Sequence, residues 1–383
     1  MSISYIPPAI RQCLWGKAGG RCQYPGCNRP LYRDDLTQAE FNSSYVAHII
    51  ADKPDGPRGD AVLSDQLKSD ISNLMVLCDA HHRLVDIVDV AGHPVDVLRE
   101  YKRKHEERIE LLTEIKEDQQ SHMLLYGARV GEHDSPLSYR KASVAMVPEK
   151  YPASSQPILL GLKNSSFTDA DASYWSMEQE HLQRQFDRFV VPAIRDGGIQ
   201  HLSVFAFAPM PLLTELGRLL SDIVIADVFQ LHREPPTWKW QTEPADFHFT
   251  VQKDGNHQSK KVAMVLALSA DVDTKRITSA IGNDIALWQL SHANPGNDFL
   301  RGPNQLEEFR RTLRQTLNEI KLAHGEDAEL HVFPAMPISC AVELGRVWMP
   351  KADLPFLMYD QNRKMGGFLP ALWIRQPEHG GNA

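Results

Sequence analysis

Apolar positions along the chain change character three times. Through residue 90 they come in short stretches broken by turn formers, Pro25-Gly26, Pro54-Asp55-Gly56-Pro57 and Arg58-Gly59-Asp60. That pattern predicts a small, loop-rich unit. From 94 to about 117, Val97, Leu98, Tyr101, His105, Ile109, Leu112 and Ile115 recur at helical spacing among Arg, Lys and Glu, so one amphipathic helix is expected to close a first domain at 1–117. Residues 118–153 are polar, punctuated by Gly131 and Pro136, around a strand-like 123–126; a linker with a first strand is expected there. Beyond them, strand-like 199–208 precedes helix-like 212–225, and 262–269 precedes 277–281. This alternation predicts an α/β domain over 154–383 with a mainly parallel sheet.

An internal repeat sharpens that expectation. Residues 201–218 read HLSVFAFAPMPLLTELGR and residues 329–346 read ELHVFPAMPISCAVELGR, with eight identities in eighteen positions and no gap. Phe205, Pro209, Glu215, Leu216, Gly217 and Arg218 return as Phe333, Pro337, Glu343, Leu344, Gly345 and Arg346. Each copy reads as an apolar strand, a proline-bearing turn and the start of a helix. Two fused Rossmann-like halves follow, with strand ends and helix N-termini meeting at a pseudo-twofold axis. Open α/β sheets bind ligands in such crevices, and helix N-termini favour phosphate. The turns Pro209-Met210-Pro211 and Pro337-Ile338-Ser339 are therefore candidate ligand contacts. The alternative is that the repeated residues only pack and turn the chain.

With 383 residues the chain is long for one domain, and 42% hydrophobic against 23% charged residues is ordinary globular composition. No signal-peptide h-region and no apolar run of about 18 residues stands out. A cytoplasmic protein without a membrane partner is expected. In a reducing compartment five cysteines argue against a disulfide framework. Cys22 and Cys27 then read as metal ligands, and Cys13 and Cys340 as buried thiols. The net charge of −8 excludes a surface that attracts polyanions everywhere. Residues 1–117 are not basic either, with 15 Lys+Arg against 18 Asp+Glu. Any nucleic-acid contact must be local or come from several copies acting together.

The chemistry concentrates in the first domain. Cys22-x4-Cys27 and Cys78-x2-His81 supply three thiolates and one imidazole, the shell of a structural Zn²⁺ site. The second pair sits within Ser72-Asn73-Leu-Met-Val-Leu-Cys78-Asp-Ala-His81-His82, preceded by Tyr45-Val-Ala-His48. An imidazole with pKa near 6.5 can accept a proton near neutral pH. His81 and His82 point about 100° apart on a helix, so one can serve zinc and the other the reaction centre. Here the chain resembles the HNH (ββα-metal) endonucleases. The resemblance implies His48 as general base, Asn73 as the residue that orients it, and His82 as ligand of a catalytic Mg²⁺ or similar ion. Many such enzymes carry Asp before the strand His, whereas this chain has Ala47. Asp52 and Asp86 are the candidate replacements.

The C-terminal pattern, two Phe-x-x-x-Pro…Glu-Leu-Gly-Arg copies, a Trp238-Lys-Trp240 strand and a closing Met358-Tyr359-Asp360, resembles the SAVED domain of two fused CARF-like halves. The pairing resembles the HNH-SAVED effector nucleases of bacterial CBASS anti-phage systems. That implies a cyclic oligonucleotide, expected to be a cyclic dinucleotide, as activating ligand. It also implies a ligand-induced homo-oligomer such as a tetramer, and double-stranded DNA cut with little sequence preference. Bases need aromatic faces and phosphates need cations, for which Phe205, Arg233, Trp238, Trp240, Arg301, Tyr359 and Lys364 are candidates. Trp238 and Trp240 fit a core equally well. Two other functions stay open: a constitutive modification-dependent restriction nuclease, which the acidic composition disfavours, and a non-enzymatic zinc-bearing binding module.

Overall fold

The computed structural model describes residues 5–34, 36–130, 136–161, 171, 173–362 and 366–376. The chain divides into two units, Met1–Lys116 and Glu117–Ala383. No helix among the described residues is long and apolar enough to cross a membrane.

The first unit contains α1 (Pro8–Lys17), β1 (Tyr45–His48), α2 (Leu63–Leu67), β2 (Leu74–Leu77), α3 (Asp79–Arg83) and α4 (Val95–Thr113). α1 opens on a proline, whose fixed φ suits the first helical turn. β1 and β2 form an antiparallel hairpin that places His48 opposite Leu74. The core is small: Leu14, Leu31, Ile49, the whole of β2, Val85 and Leu98. α4 buries Leu98, Lys102 and His105, but Leu111 and Leu112 near its end are exposed. The helical stripe thus outlasts the core it packs against. Cys13, expected to be a buried thiol, is exposed on α1, while Cys340 is buried.

The second unit is α/β. Its strands are β3 (Gln120–Gly127), β4 (Tyr151–Pro152), β5 (Ile158–Leu160), β6 (His201–Phe207), β7 (Ile225–Val228), β8 (Thr250–Gly255), β9 (Lys261–Ala267), β10 (Ala286–Ser291), β11 (Glu329–Ala335), β12 (Phe356–Asn362) and β13 (Gly367–Ile374). Its helices are α5 (Tyr139–Met146), α6 (Tyr174–Phe189), α7 (Val191–Arg195), α8 (Met210–Leu220), α9 (Thr274–Ile281), α10 (Pro303–His324) and α11 (Ile338–Val347). One sheet runs β4-β3-β6-β7 with β5 also on β3, all parallel. The other runs β13-β12-β11-β9-β10-β8; its middle is parallel and its two edge strands are antiparallel.

The strand expected within 118–153 is an inner strand of the first sheet. β3 pairs on both sides, and Met123, Leu124, Leu125 and Tyr126 are buried. The repeat maps onto β6–α8 and β11–α11, whose strands and helices begin at matching positions. The two helices meet through their bodies rather than their N-termini, at Gly217 and Gly345, the eighth residue of each. Beside them Glu215 pairs with Arg218 and Glu343 with Arg346, all four largely buried. Burial raises the Glu343 carboxyl above its ordinary value, although Arg346 and Arg310 oppose the shift.

Candidate functional site

Local turns bring the cysteines together. After α1 the chain reverses through Gly19 and Gly20, both at positive φ (58° and 63°), and delivers Cys22 to the core. A tight turn at Gly26, closed by Cys27 N–H donating to Tyr24 O at 3.1 Å, returns Cys27 beside it. Cys78 caps the N-terminus of α3, with His81 one turn on. The donor atoms of Cys22, Cys27, Cys78 and His81 all lie within 4.8 Å of one another. His81 Nδ1 stands 3.2 Å from Cys78 Sγ and 3.6 Å from Cys22 Sγ. Tyr24 stacks on the His81 ring at 4.0 Å, nearly parallel, and its hydroxyl meets His93 Nε2 at 3.1 Å.

Three sulfurs and one nitrogen at these separations fit Zn²⁺, and the polypeptide alone leaves them ill at ease. Burial pushes the Cys22 thiol up to about 12, so a cation is what would make it a thiolate near neutral pH. Burial, then the neighbouring His93, lowers the His81 pKa and favours the neutral, metal-binding ring.

Next to this cluster β1 ends in His48. Its Nε2 lies 2.8 Å from Lys68 O, so this nitrogen carries the proton and donates, leaving Nδ1 with a lone pair. Asn73, 1% exposed, clamps the chain just after His48. Its Oδ1 accepts from Ile50 N–H at 2.8 Å, while its Nδ2 donates to Ile50 O at 2.8 Å and Leu67 O at 3.3 Å. His82 projects from α3, stacks on Tyr45 at 4.9 Å, and sets Nε2 3.3 Å from Asp86 Oδ2.

His48, His82, Asp86 and Asp52 share one cleft of about 300 Å³, rimmed also by Lys53, Asp55 and Arg58. Ala47 is buried among the core residues, while Val46 and His48, on the other face of the strand, reach the cleft. Sequence reasoning missed Arg58 and Tyr24, because each sits in a turn whose geometry no periodicity encodes.

In the second unit the candidate ligand residues disperse. Trp240 lines a cavity of about 710 Å³ with Phe229, Lys150, Lys239 and Arg310, and Arg301 lines another of about 480 Å³ with Phe247, His292 and Phe299. Trp238 is a core residue, 1% exposed and edge-on to Phe205 at 5.2 Å; Phe205 in turn stacks on Phe229 at 4.4 Å. Residues 238–240 follow a turn closed by a His232–Thr237 bridge and lie in no strand, correcting the expected alternation. Tyr359 is likewise core: it stacks on Phe333 at 4.5 Å, with its hydroxyl 3.2 Å from His331 Nδ1.

Pro209 and Pro337 cap α8 and α11 and are buried with Pro211, while Met210 packs against the main core. None of these four lines either cavity. They open helices that approach each other through their bodies rather than their N-termini. Arg233 is exposed, its backbone N–H donating to Asp298 at 3.0 Å. Lys364 lies outside the described residues.

Comparison with known proteins bears on the second unit. The profile of the SAVED family, described as the SMODS-associated and fused to various effectors sensor domain, matches residues 182–374. Among solved structures, the Acinetobacter baumannii Cap4 SAVED/CARF-domain containing receptor with the cyclic trinucleotide 2'3'3'-cAAA aligns at 13% identity and TM-score 0.43, over 78% of this chain and 66% of that one. A second structure of that receptor gives 13% and 0.42 over 78% and 65%. The Moraxella osloensis Cap4 receptor gives 12% and 0.37 over 82% and 66%. The chain thus spans just under two thirds of the length of these receptors. No curated protein matches the sequence. The family profile covers half of the chain, and on that match the protein belongs to the SAVED family of sensor domains.

Proposed function

We propose that this protein is a cyclic-oligonucleotide-gated, metal-dependent HNH endonuclease of the CBASS type, which degrades double-stranded DNA with low sequence preference. The observation that carries the proposal is the convergence of His48, His82 and Asp86 on one cleft beside the Cys22/Cys27/Cys78/His81 cluster. These residues come from separate elements, and their shared cleft is what hydrolysis of a phosphodiester requires.

His48 is the general base. Its Nε2–H is committed to the Lys68 carbonyl, so Nδ1 is the atom that takes a proton from water. Asn73 fixes Ile50, two residues after His48, and so holds the ring's orientation. A divalent cation such as Mg²⁺, held by His82 and a carboxylate, would neutralise charge on the phosphate and leaving oxygen. Tyr45, stacked on His82, limits rotation of that ring. The sulfur-rich cluster would hold Zn²⁺ and staple a unit whose own core is small.

The SAVED unit supplies the gate. Cap4 receptors have been solved with cyclic trinucleotides, and we assign this chain a ligand of the same chemical class, a cyclic di- or trinucleotide. The cavity of about 710 Å³ is large enough for it and offers Trp240 for a base with Lys150 and Lys239 for phosphate, while Arg310 is paired with Glu307 and Glu343 on the same wall. Moving an idle assembly from 1:99 to 99:1 takes about 5.5 kcal/mol of differential binding. A ligand that bridges subunits of a homo-oligomer meets that requirement. The test is plasmid cleavage by purified protein across a panel of cyclic di- and trinucleotides. Near-inert protein that becomes a nuclease with one of them is the expected result. Equal cleavage with and without every ligand would remove the gating, and no cleavage under any condition, together with an inert His48→Ala variant, would favour a zinc-bearing binding module.

A further inference from the structure

Arg58 lies in a loop between β1 and α2, at a positive φ of 55°, a backbone conformation that costs a non-glycine residue energy. Its side chain is only 6% exposed, and all three of its guanidinium nitrogens donate hydrogen bonds. Nε donates to Ile49 O at 2.7 Å, Nη1 to Val85 O at 2.7 Å, and Nη2 to Asp86 Oδ1 at 2.5 Å and more weakly to His48 O at 3.4 Å. One rigid cation thereby ties the end of the strand that carries His48 to the segment after α3 that carries Asp86. The loop leaves little room to do this differently: a Cβ at Gly59 would lie 2.3 Å from Pro54 O.

The consequence falls on Asp86. With Oδ1 held by Arg58, Oδ2 is turned toward His82 Nε2 at 3.3 Å, on the wall of the cleft that also holds His48. Adjacent ligands of a small divalent cation bound at about 2.1 Å stand roughly 3 Å apart. The pair has that spacing and the hard oxygen and imidazole nitrogen that Mg²⁺ or Mn²⁺ accepts. We infer that Asp86 is the carboxylate ligand that Ala47 cannot supply, and that Arg58 is its positioning residue, aiming Oδ2 into the cleft while fixing the distance from the His48 strand. This rests on the reading of the cleft as a metal-dependent cleavage site. Asp52 also lines the cleft and is the comparison carboxylate in the experiment.

The experiment measures Mn²⁺ binding to the zinc-loaded full-length protein by electron paramagnetic resonance, without DNA, alongside thermal unfolding. Wild type, His82→Ala, Asp86→Asn, Asp52→Asn, Arg58→Lys and the Arg58→Lys/Asp86→Asn double variant are compared. Asp86→Asn should weaken Mn²⁺ at least tenfold, as should His82→Ala, while Asp52→Asn stays within about twofold. Arg58→Lys keeps a cation but loses the fork, and should weaken Mn²⁺ by about tenfold. The double variant should bind no more weakly than Asp86→Asn alone, because Arg58 acts through Asp86. Asp86→Asn is nearly isosteric, so it tests the assignment even if Arg58→Lys unfolds. Mn²⁺ lost in His82→Ala but retained in Asp86→Asn would overturn the inference and leave the cleavage site standing. Wild type that binds no Mn²⁺ would overturn both.

Discussion

Gly217 and Gly345 lock the two repeats together by symmetric absence. A Cβ on Gly217 would lie 1.8 Å from Val342 O, and a Cβ on Gly345 would lie 1.9 Å from Thr214 O, each carbonyl three residues before the opposing glycine. The same contact is thus made twice across the pseudo-twofold axis of α8 and α11. Neither glycine is at positive φ, so what it supplies is close approach rather than unusual dihedrals. Gly217→Ala and Gly345→Ala should each destabilise the second unit by about 3 kcal/mol, since backbone cannot yield as a flexible side chain would, and lower its melting temperature by roughly 5–10 °C. Gly16→Ala, on α1 with nothing within 4 Å of its Cβ, should be neutral or stabilising by up to about 1 kcal/mol. Calorimetry of the three variants separates close packing from glycine's general helix penalty.

Acid should loosen the second unit. His324 is buried, with Trp288 Nε1–H donating to its Nε2 at 3.0 Å while its Nδ1 lies 3.0 Å from Ser259 O. Those two bonds need the neutral ring, protonated on Nδ1 alone. Burial accordingly lowers its pKa, partly opposed by the hydrogen bond that the ring donates to the Ser259 carbonyl. His201, His232, His292 and His331 are lowered for the same leading cause. A folded-state value below the unfolded one means that the unfolded chain binds the extra proton. Stability is therefore present above about pH 6.5 and is lost as pH falls through the lower folded values. Urea midpoints should drop between pH 7.5 and 5.5, with a change in Trp288 fluorescence. His324→Gln, which does not titrate, should flatten the slope, and an unchanged slope would reassign the effect to the other histidines.

The parts of this molecule legible from sequence are those where short spacing and chemistry coincide. Cys22, Cys27, Cys78 and His81 assemble through local turns, so their spacing announces their proximity. His48, Asn73 and His82 lie on a hairpin and the helix that follows it. The duplicated Glu-Leu-Gly-Arg motif marks the two β–α units but not its use, because sequence does not say that glycine faces glycine. Trp238, Trp240 and Tyr359 show the limit more sharply. An aromatic that stacks on a base and one that stacks on Phe205 or Phe333 have the same pattern, and only tertiary packing separates the half-buried Trp240 from the other two. Arg58 was illegible because three of its four partners are main-chain carbonyls, which every residue carries.

Metal removal should act on one unit. If Zn²⁺ occupies the sulfur cluster, elemental analysis should find one zinc per chain, and Cys78→Ser or a strong chelator should abolish the first unit's folding transition. Structural zinc contributes about 10–16 kcal/mol of apparent binding energy, more than a unit with so small a core can lose. The second unit, with its own extensive core, should keep its transition. Zinc-free protein with two unaltered transitions would refute the staple.

Chemistry and scaffold at the cleft should separate in two variants. His48→Ala removes Nδ1 and gives up one bond to the Lys68 carbonyl. Cleavage should fall by about 10²- to 10⁴-fold, with zinc content intact and little change in melting. Asn73→Ala instead strands the buried N–H and C=O of Ile50, at about 1–3 kcal/mol for each unsatisfied group, and should lower both stability and cleavage. Asn73→Asp should do worse than its near-isosteric shape suggests, because a carboxylate would face the carbonyls of Ile50 and Leu67 where the amide now donates. If His48→Ala cut DNA at the wild-type rate while Asn73→Ala did not, the base would have to be another group on the cleft wall, and the role of Asn73 would be to hold that wall in shape.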